Sequence, residues 1–254
     1  RDLLADDGSI YVHCDWRGTQ FLRLILDEVF GRNNFLNEIV WHYRKWSLPV
    51  DFFQRNHDTI YYYAKTSDSK LRHFEVVEFQ PQSEGTLKRW KGKKQKAVFD
   101  EMGRRIATNE AEESTGSPLS DVWDISIINP AAKERIGYPT QKPEELLSRI
   151  LKHTTKPDDI VADFFMGSGT TLAVAEKLGR KWIGSDLGKF SIHTTRKRMI
   201  EVQRELKKNG KNYRAFEILN LGKYERQHYI GVNPHLSDED KQKQIAQREH
   251  DFIE

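Results

Sequence analysis

This 254-residue sequence predicts an α/β doubly wound, mostly parallel sheet with an antiparallel edge hairpin, and three observations carry that prediction. First, a strand-like run, Asp159-Ile160-Val161-Ala162, passes through Asp163-Phe164-Phe165-Met166-Gly167-Ser168-Gly169 to Thr170-Thr171 and a helix-like stretch from Leu172 to Leu178. Strand, glycine turn and helix start make a cradle, because glycines let backbone approach a ligand and the first helical turn offers unpaired N–H groups to a carboxylate or phosphate. Second, Lys181-Trp182-Ile183-Gly184-Ser185 reads as the next strand and ends on Asp186, where such a sheet places the carboxylate that accepts ribose hydroxyls. Third, residues 9–14, 35–42 and 58–64 are strand-like runs that supply a second half-sheet.

Taken in order, residues 1–5 read as the last turn of a helix that enters a strand through the turn Asp6-Asp7-Gly8. Residues 9–14 read as a buried parallel strand. Thr19 to Phe30 carries Phe21, Leu22, Leu24, Ile25 and Val29 at helical spacing, and Gly31 stops it. A polar, proline-containing stretch joins the next two strands. From residue 66 to about 130 the apolar pattern weakens while charge and glycine rise, which predicts a polar insert. A helix then starts with Pro143 at its first position, with Glu144 and Glu145 complementing its dipole, and runs to about His153. The turn Thr140-Gln141-Lys142 lies about twenty residues ahead of the glycine loop, placed to fold over whatever that loop binds. The chain opens on Arg1 in mid-element and stops at Asp251-Phe252-Ile253-Glu254 without closing one, so a fragment of a longer protein is expected.

The composition predicts a soluble, cytoplasmic protein with no membrane partner. Charged residues make up 31% and hydrophobic ones 37%, mean hydropathy is −0.75, and no apolar run is long enough to span a bilayer. Cys14 is the single cysteine, which excludes an internal disulfide and any multi-cysteine zinc site, and no metal is expected. A net charge of +3 is too small to argue for nucleic acid by itself. Its distribution is uneven, however. Lys88, Arg89, Trp90, Lys91, Lys93, Lys94 and Lys96 cluster, with Arg104 and Arg105 close behind. A cationic run carrying an aromatic can neutralise phosphates and lie against a base or sugar, and it reads equally as a solvated loop. His13-Cys14-Asp15 has no matching ligands elsewhere and reads as strand-end packing, while Trp41, Tyr43, Trp46, Tyr61, Tyr62 and Tyr63 read mostly as core.

In the order Tyr138-Pro139-Thr140-Gln141-Lys142-Pro143, helix, Asp163 to Thr171, then Gly179 to Asp186, the chain resembles the S-adenosylmethionine half of amino-methylating DNA methyltransferases of the beta arrangement. The nearest likeness is to the modification subunits of type III restriction systems and their solitary relatives. Asp7-Gly8-Ser9-Ile10-Tyr11-Val12-His13-Cys14-Asp15-Trp16 and Asn37-Glu38-Ile39-Val40-Trp41 resemble that family's second half-sheet. Residues 120–125 and 129–135 resemble its passage from insert to cofactor domain.

The resemblance implies the S-adenosylmethionine-dependent methyltransferase fold, divided into a catalytic half-sheet (1–65), a target-recognition insert (66–130), a cofactor-binding half (131–225) and a C-terminal extension (226–254). It implies transfer of a methyl group from S-adenosyl-L-methionine to an exocyclic amine, adenine ahead of cytosine, in double-stranded DNA. A restriction subunit and a homodimer stay open. Asp163 and the run Phe165, Met166, Gly167, Ser168, Gly169 would line the methionine moiety, Thr170 and Thr171 would open the helix beneath it, and Asp186 would hold the ribose. Thr140, Gln141 and Lys142 would close on the methionine end, Lys142 meeting its carboxylate. Read singly, Asp163 is equally a turn carboxylate, Asp186 a helix cap and Lys142 a surface lysine.

The family's catalytic Asp-Pro-Pro-aromatic motif, which clamps the flipped amine, is absent between Arg1 and Glu254. Asn129-Pro130-Ala131-Ala132 lacks the second proline and the aromatic. No catalytic residue is therefore assigned, and the motif is expected upstream of Arg1, on a central strand whose absence would leave two unpaired strand edges. Two other readings stand beside this one. One is a non-catalytic DNA- and cofactor-binding subunit; the other is a nicotinamide-dependent oxidoreductase, although the third glycine of the dinucleotide fingerprint is missing.

Overall fold

The computed structural model describes residues 1–46, 49–113 and 116–220, with 237, 239, 240, 242 and 243. Residues 1–213 form one compact unit and 214–254 a second. The extension expected at 226–254 lies almost wholly outside the described residues.

The larger sheet has four strands in the order β1-β3-β2-β10: β1 (Ser9–Cys14), β2 (Phe35–His42), β3 (His57–Ala64) and β10 (Val122–Asp124). Strand β3 runs antiparallel to both neighbours, and β10 runs parallel to β2. The expectation that residues 9–14 form a parallel strand is thus corrected: Ser9 pairs with Ala64 and Cys14 with Thr59 in an antiparallel ladder. A run with apolar residues on both faces reveals burial but not the direction of its partner.

The two-residue period of β3 divides its aromatics between two cores. Ile60 and Tyr62 face the cluster formed with Trp41, Trp123 and the helix α3 (Glu144–Thr154). Tyr61 and Tyr63 face the helix α1 (Thr19–Phe30), meeting Leu26 and Phe30. Tyr62 also stacks on Tyr11 of β1, ring centroids 4.4 Å apart. Two expectations fail here. Phe21, Leu24, Ile25 and Val29 of α1 are exposed, because one sheet covers only one face of a helix that is apolar on two. Trp46 is exposed as well, since it lies in the loop beyond β2 and not on a strand.

The smaller sheet pairs β11 (Ile160–Asp163) with β12 (Lys181–Gly184) in parallel. Between them runs α4 (Thr170–Lys177), and after β12 comes α5 (Lys189–Lys208), a long helix that the sequence pattern did not predict. Leu146, Ile150 and Leu151 of α3 join Val161 of β11 and Val174 and Ala175 of α4 to the core of the larger sheet. Pro143 is the N-cap of α3, with extended backbone (ψ 142°), one position before the expected one; its missing N–H costs nothing in either place. Among the described residues β1 pairs only with β3, and β11 only with β12.

The insert is a two-stranded ribbon. Its ladders are nested: β4 (Phe79–Gln80) with β9 (Ser117–Pro118), β5 (Lys94–Gln95) with β8 (Ala111–Glu112), and β6 (Val98–Phe99) with β7 (Arg105–Ile106). A short helix α2 (Glu84–Arg89), capped by Ser83, interrupts the outgoing strand. Two-residue ladders carry too little periodicity to be read from sequence.

Candidate cofactor-binding site

The loop after β11 is held by its own carboxylates. Asp163 accepts the Phe165 N–H at 3.0 Å and the Thr171 hydroxyl at 2.6 Å, closing the turn from the strand end to the first turn of α4. Asp186, beyond the end of β12, accepts the Gly167 N–H at 3.0 Å and the Gly188 N–H at 2.8 Å. Each carboxylate oxygen keeps a lone pair for a further donor, so Asp186 can brace the loop and still accept from a hydroxyl. Gly169 caps α4 in the left-handed region (φ 69°), and a Cβ there would meet Thr195 at 2.6 Å. Only glycine meets both conditions.

Behind the loop lies a buried polar network. Arg198 of α5 donates to the Ser168 carbonyl at 3.2 Å, the Thr170 hydroxyl at 2.8 Å and the Glu144 carboxylate at 2.9 Å. Lys177 donates to the same carboxylate at 2.7 Å. Burial by itself would raise the Glu144 carboxyl, but the hydrogen bonds from Lys177 and Arg198 outweigh it and hold the group below its ordinary range. Ser168 and Thr170 are 5% and 4% exposed. Their side chains therefore anchor the loop, leaving exposed Phe164 and Phe165 and half-buried Asp163 and Asp186 as its accessible residues. Phe165 and Leu187 are 93% and 74% exposed beside it, enough apolar surface to cover a flat ring.

The turn before α3 folds onto this loop, as its position suggested. Its Lys142 carbonyl accepts the Thr170 hydroxyl at 3.1 Å. Gln141 is spent internally, donating to Glu134 and accepting from the Ile136 N–H, and Thr140 stands exposed. Tyr138 belongs to the sequence motif, which assigns it no role. Its ring packs over Gly167, where an added Cβ would lie 3.3 Å away, stacks on Phe190 and bonds Ser191 at 3.0 Å. Thr195 supports the same glycine through a 3.1 Å bond to its carbonyl. Phe190, Ser191, Thr195 and Arg198 all come from α5, and the spacing of that helix was the one signal that could have found them. The residues fit S-adenosyl-L-methionine: a glycine loop at a helix start, a carboxylate at the next strand end, an exposed apolar rim and a half-buried lysine.

The cationic cluster is divided by the ribbon. Lys93, Lys94 and Lys96 pair across it with Glu113, Glu112 and Glu110 at 3.0, 3.1 and 2.6 Å, and Lys88 lies 3.9 Å from Glu84. Arg89, Lys91, Arg104 and Arg105 form no ion pair among the described residues and are exposed, while Trp90 is half-buried. Between residues 93 and 113 five cations are balanced by five carboxylates, so the ribbon carries no net charge, and among the described residues its cations outside ion pairs are Arg104 and Arg105, with Arg89 and Lys91 at and just beyond the end of α2.

The DNA methylase family model of the N6/N4 class matches residues 1–197. The chain belongs to this family. Among curated relatives, this family member is 29% identical over 201 residues to the type II methyltransferase M2.LlaDCHI of Lactococcus lactis subsp. cremoris, covering 78% of this chain and 62% of that one. It is 32% identical over 195 residues to the type II methyltransferase M1.MboII of Moraxella bovis, covering 73% and 70%. These relatives carry type II names, so the likeness to type III modification subunits finds no support in them. The chain spans just under two thirds of the length of M2.LlaDCHI and of the similar M2.DpnII of Streptococcus pneumoniae. Its fold resembles that of the cytosine-N4-specific PvuII DNA methyltransferase, with a TM-score of 0.51 at 16% identity over 96% of this chain and 70% of that one. Family membership removes the oxidoreductase reading.

Proposed function

We propose that this chain carries the cofactor-binding and target-recognition parts of a DNA methyltransferase that transfers a methyl group from S-adenosyl-L-methionine to an exocyclic amine in double-stranded DNA, within a restriction-modification setting. The observation that carries the reading is the tie between Gly167 and Asp186, which joins the glycine loop to the neighbouring strand end at 3.0 Å. S-adenosyl-L-methionine supplies an electrophilic methyl group on a sulfonium. In this reading the loop backbone and Lys142 hold its methionine end, Asp186 its ribose, and Phe165 with Leu187 shield its ring. The ribbon tip and the end of α2 meet the duplex.

The base clamp, an acidic or amide side chain with proline and an aromatic, is proposed to come from a segment preceding Arg1. The edges of β1 and β11 that are unpaired among the described residues, and the exposed apolar stripe of α1, support that reading, since each is a surface a further strand and helix would cover. Adenine is preferred to cytosine on the motif resemblance, and the cytosine-specific PvuII enzyme with the same fold makes the base the point to test.

The experiment is incorporation of labelled methyl from S-adenosyl-L-methionine into mixed-sequence DNA, by residues 1–254 and by the same chain with its preceding segment. Nucleoside mass spectrometry then separates N6-methyladenine from N4-methylcytosine. Activity is expected only with the preceding segment, because orientation of the amine carries on the order of 7–11 kcal/mol of such a barrier. Robust incorporation by residues 1–254 would place the catalytic groups inside this chain. An inactive longer chain that still binds DNA and cofactor would favour the non-catalytic subunit.

A further inference from the structure

Helix α5 concentrates positive charge. Its 20 residues hold seven cations and two carboxylates, a net +5 against +3 for the whole chain, so the remaining residues are acidic on balance. Arg198 turns inward to Ser168, Thr170 and Glu144. Arg196, Lys197, Arg204, Lys207 and Lys208 are exposed and form no ion pair among the described residues. At 3.6 residues per turn these five fall within about a third of the helix circumference, and from Arg196 to Lys208 the stripe is about 18 Å long. The buried residues Ser191, Thr195, Met199, Val202 and Leu206 occupy the opposite side. That inner face is pinned, since Ser191 bonds Tyr138 at 3.0 Å and Thr195 bonds the Gly167 carbonyl at 3.1 Å. Packing on the glycine loop thus fixes the direction in which the cations point.

A helix that only faces water mixes its signs, with carboxylates four residues ahead of lysines. Here Glu201 and Glu205 lie three or four residues from Lys197, Arg204 and Lys208, yet no ion pair closes among the described residues. Arg204 stands at i+3 and i+4 spacing from Lys207 and Lys208, a like-charge arrangement that costs helix stability. The helix dipole accounts for Lys207 and Lys208 in the last turn but not for Arg196 and Lys197 in the middle. A polyanion laid along the stripe offsets these costs.

Resting on the reading that this chain acts on double-stranded DNA, we infer that the outer face of α5 is a second DNA contact, one that holds the phosphate backbone of duplex flanking the stretch engaged by the ribbon. Charge complementarity selects the occupant. Duplex DNA carries one negative charge per about 1.7 Å of axis, so a stripe of this length meets the backbone of roughly five base pairs. The ribbon stem, with its cations paired to Glu110, Glu112 and Glu113, supplies little net attraction of its own. Helix α5 supplies what the stem lacks. Contacts from lysine and arginine to phosphate read no base edge, so this face holds any duplex and lets the protein move along it between recognition sites.

The test is the salt dependence with which residues 1–254 bind a labelled mixed-sequence duplex. One variant joins Arg196→Gln to Lys197→Gln, a second joins Arg204→Gln to Lys208→Gln, and a third carries all four. A control that keeps the charge joins Arg196→Lys to Arg204→Lys. Each pair is expected to lower the slope of log affinity against log salt by up to about two units and the fourfold variant by up to about four, at about 0.9 per phosphate released. The control is expected to keep the wild-type slope, and thermal unfolding checks that all variants are folded. An unchanged slope in the fourfold variant, where the wild type binds duplex, overturns this inference alone and leaves the DNA reading standing. An equal loss in the lysine control makes the role one of shape and overturns it too. So does a difference between wild type and variant that appears with single-stranded RNA and not with duplex. A wild type that binds no duplex takes down the inference together with the DNA reading.

Discussion

Asp186 reaches back across nineteen residues to accept the Gly167 N–H at 3.0 Å, so the glycine loop and the end of β12 are one mechanical unit. The same carboxylate holds the Gly188 N–H at 2.8 Å, at the N-cap of α5. Replacing Asp186 with Ala leaves two backbone donors without their acceptor, at about 1–3 kcal/mol of stability. In the proposed function it also weakens S-adenosyl-L-methionine binding by a similar amount. Thermal unfolding and calorimetric titration of the same variant separate the two effects, and equal affinities would take Asp186 out of the site.

Gly169→Ala meets two obstacles, a left-handed backbone at φ 69° and Thr195 at 2.6 Å. The backbone term alone is about 1–2 kcal/mol. In a Thr195→Ala background the contact is relieved and the strain is not, so the double variant should recover only part of the stability. Chemical denaturation of the four proteins in the cycle measures this, and strict additivity would mean the two residues do not touch.

Glu144 is the acceptor on which Lys177 and Arg198 converge. Glu144→Ala leaves the buried Arg198 guanidinium short of its counter-ion, a loss expected at about 3–5 kcal/mol. Because the folded carboxyl sits below its ordinary 4.5, its contribution is present above that value and is lost as the pH falls through the folded midpoint. Wild type and variant should therefore differ at pH 7 and converge in acid. Denaturation curves with a constant gap across that range would contradict the ion pairing.

On the ribbon, charge pairing separates two sets of cations. Exchanging Lys94 and Lys96 together with their partners Glu112 and Glu110 for Gln removes neutral pairs, and the salt dependence of DNA binding should hold its slope. Neutralising Arg89, Lys91, Arg104 and Arg105 should flatten it by about one unit for each phosphate that the variant no longer neutralises. The reverse ranking would return DNA binding to the stem of the ribbon.

Much of the larger architecture was legible because it rests on local chemistry. Glycines at 167 and 169, the acidic residue just beyond β12 and the α3 start at Pro143 are short-range signals that neighbouring residues enforce, and the structure realises each within two positions. Residues of the site that lie on α5 were not legible. Thr195 and Arg198 act across 28 and 30 residues, a distance over which periodicity carries no information.

The sequence by itself determined that a strand, glycine turn and helix would be followed by a second strand ending on a carboxylate, since backbone conformation and hydrophobic spacing are local properties. Only the tertiary structure decided that residues 9–14 pair antiparallel, because strand direction is set by the partner and not by the run itself. It also decided that Ser168 and Thr170 turn inward to Arg198, and that His13 meets Asp58. Those two come from separate strands. Long-range packing brings their charges within reach of one another, and Coulomb energy depends on that distance and not on their separation along the chain.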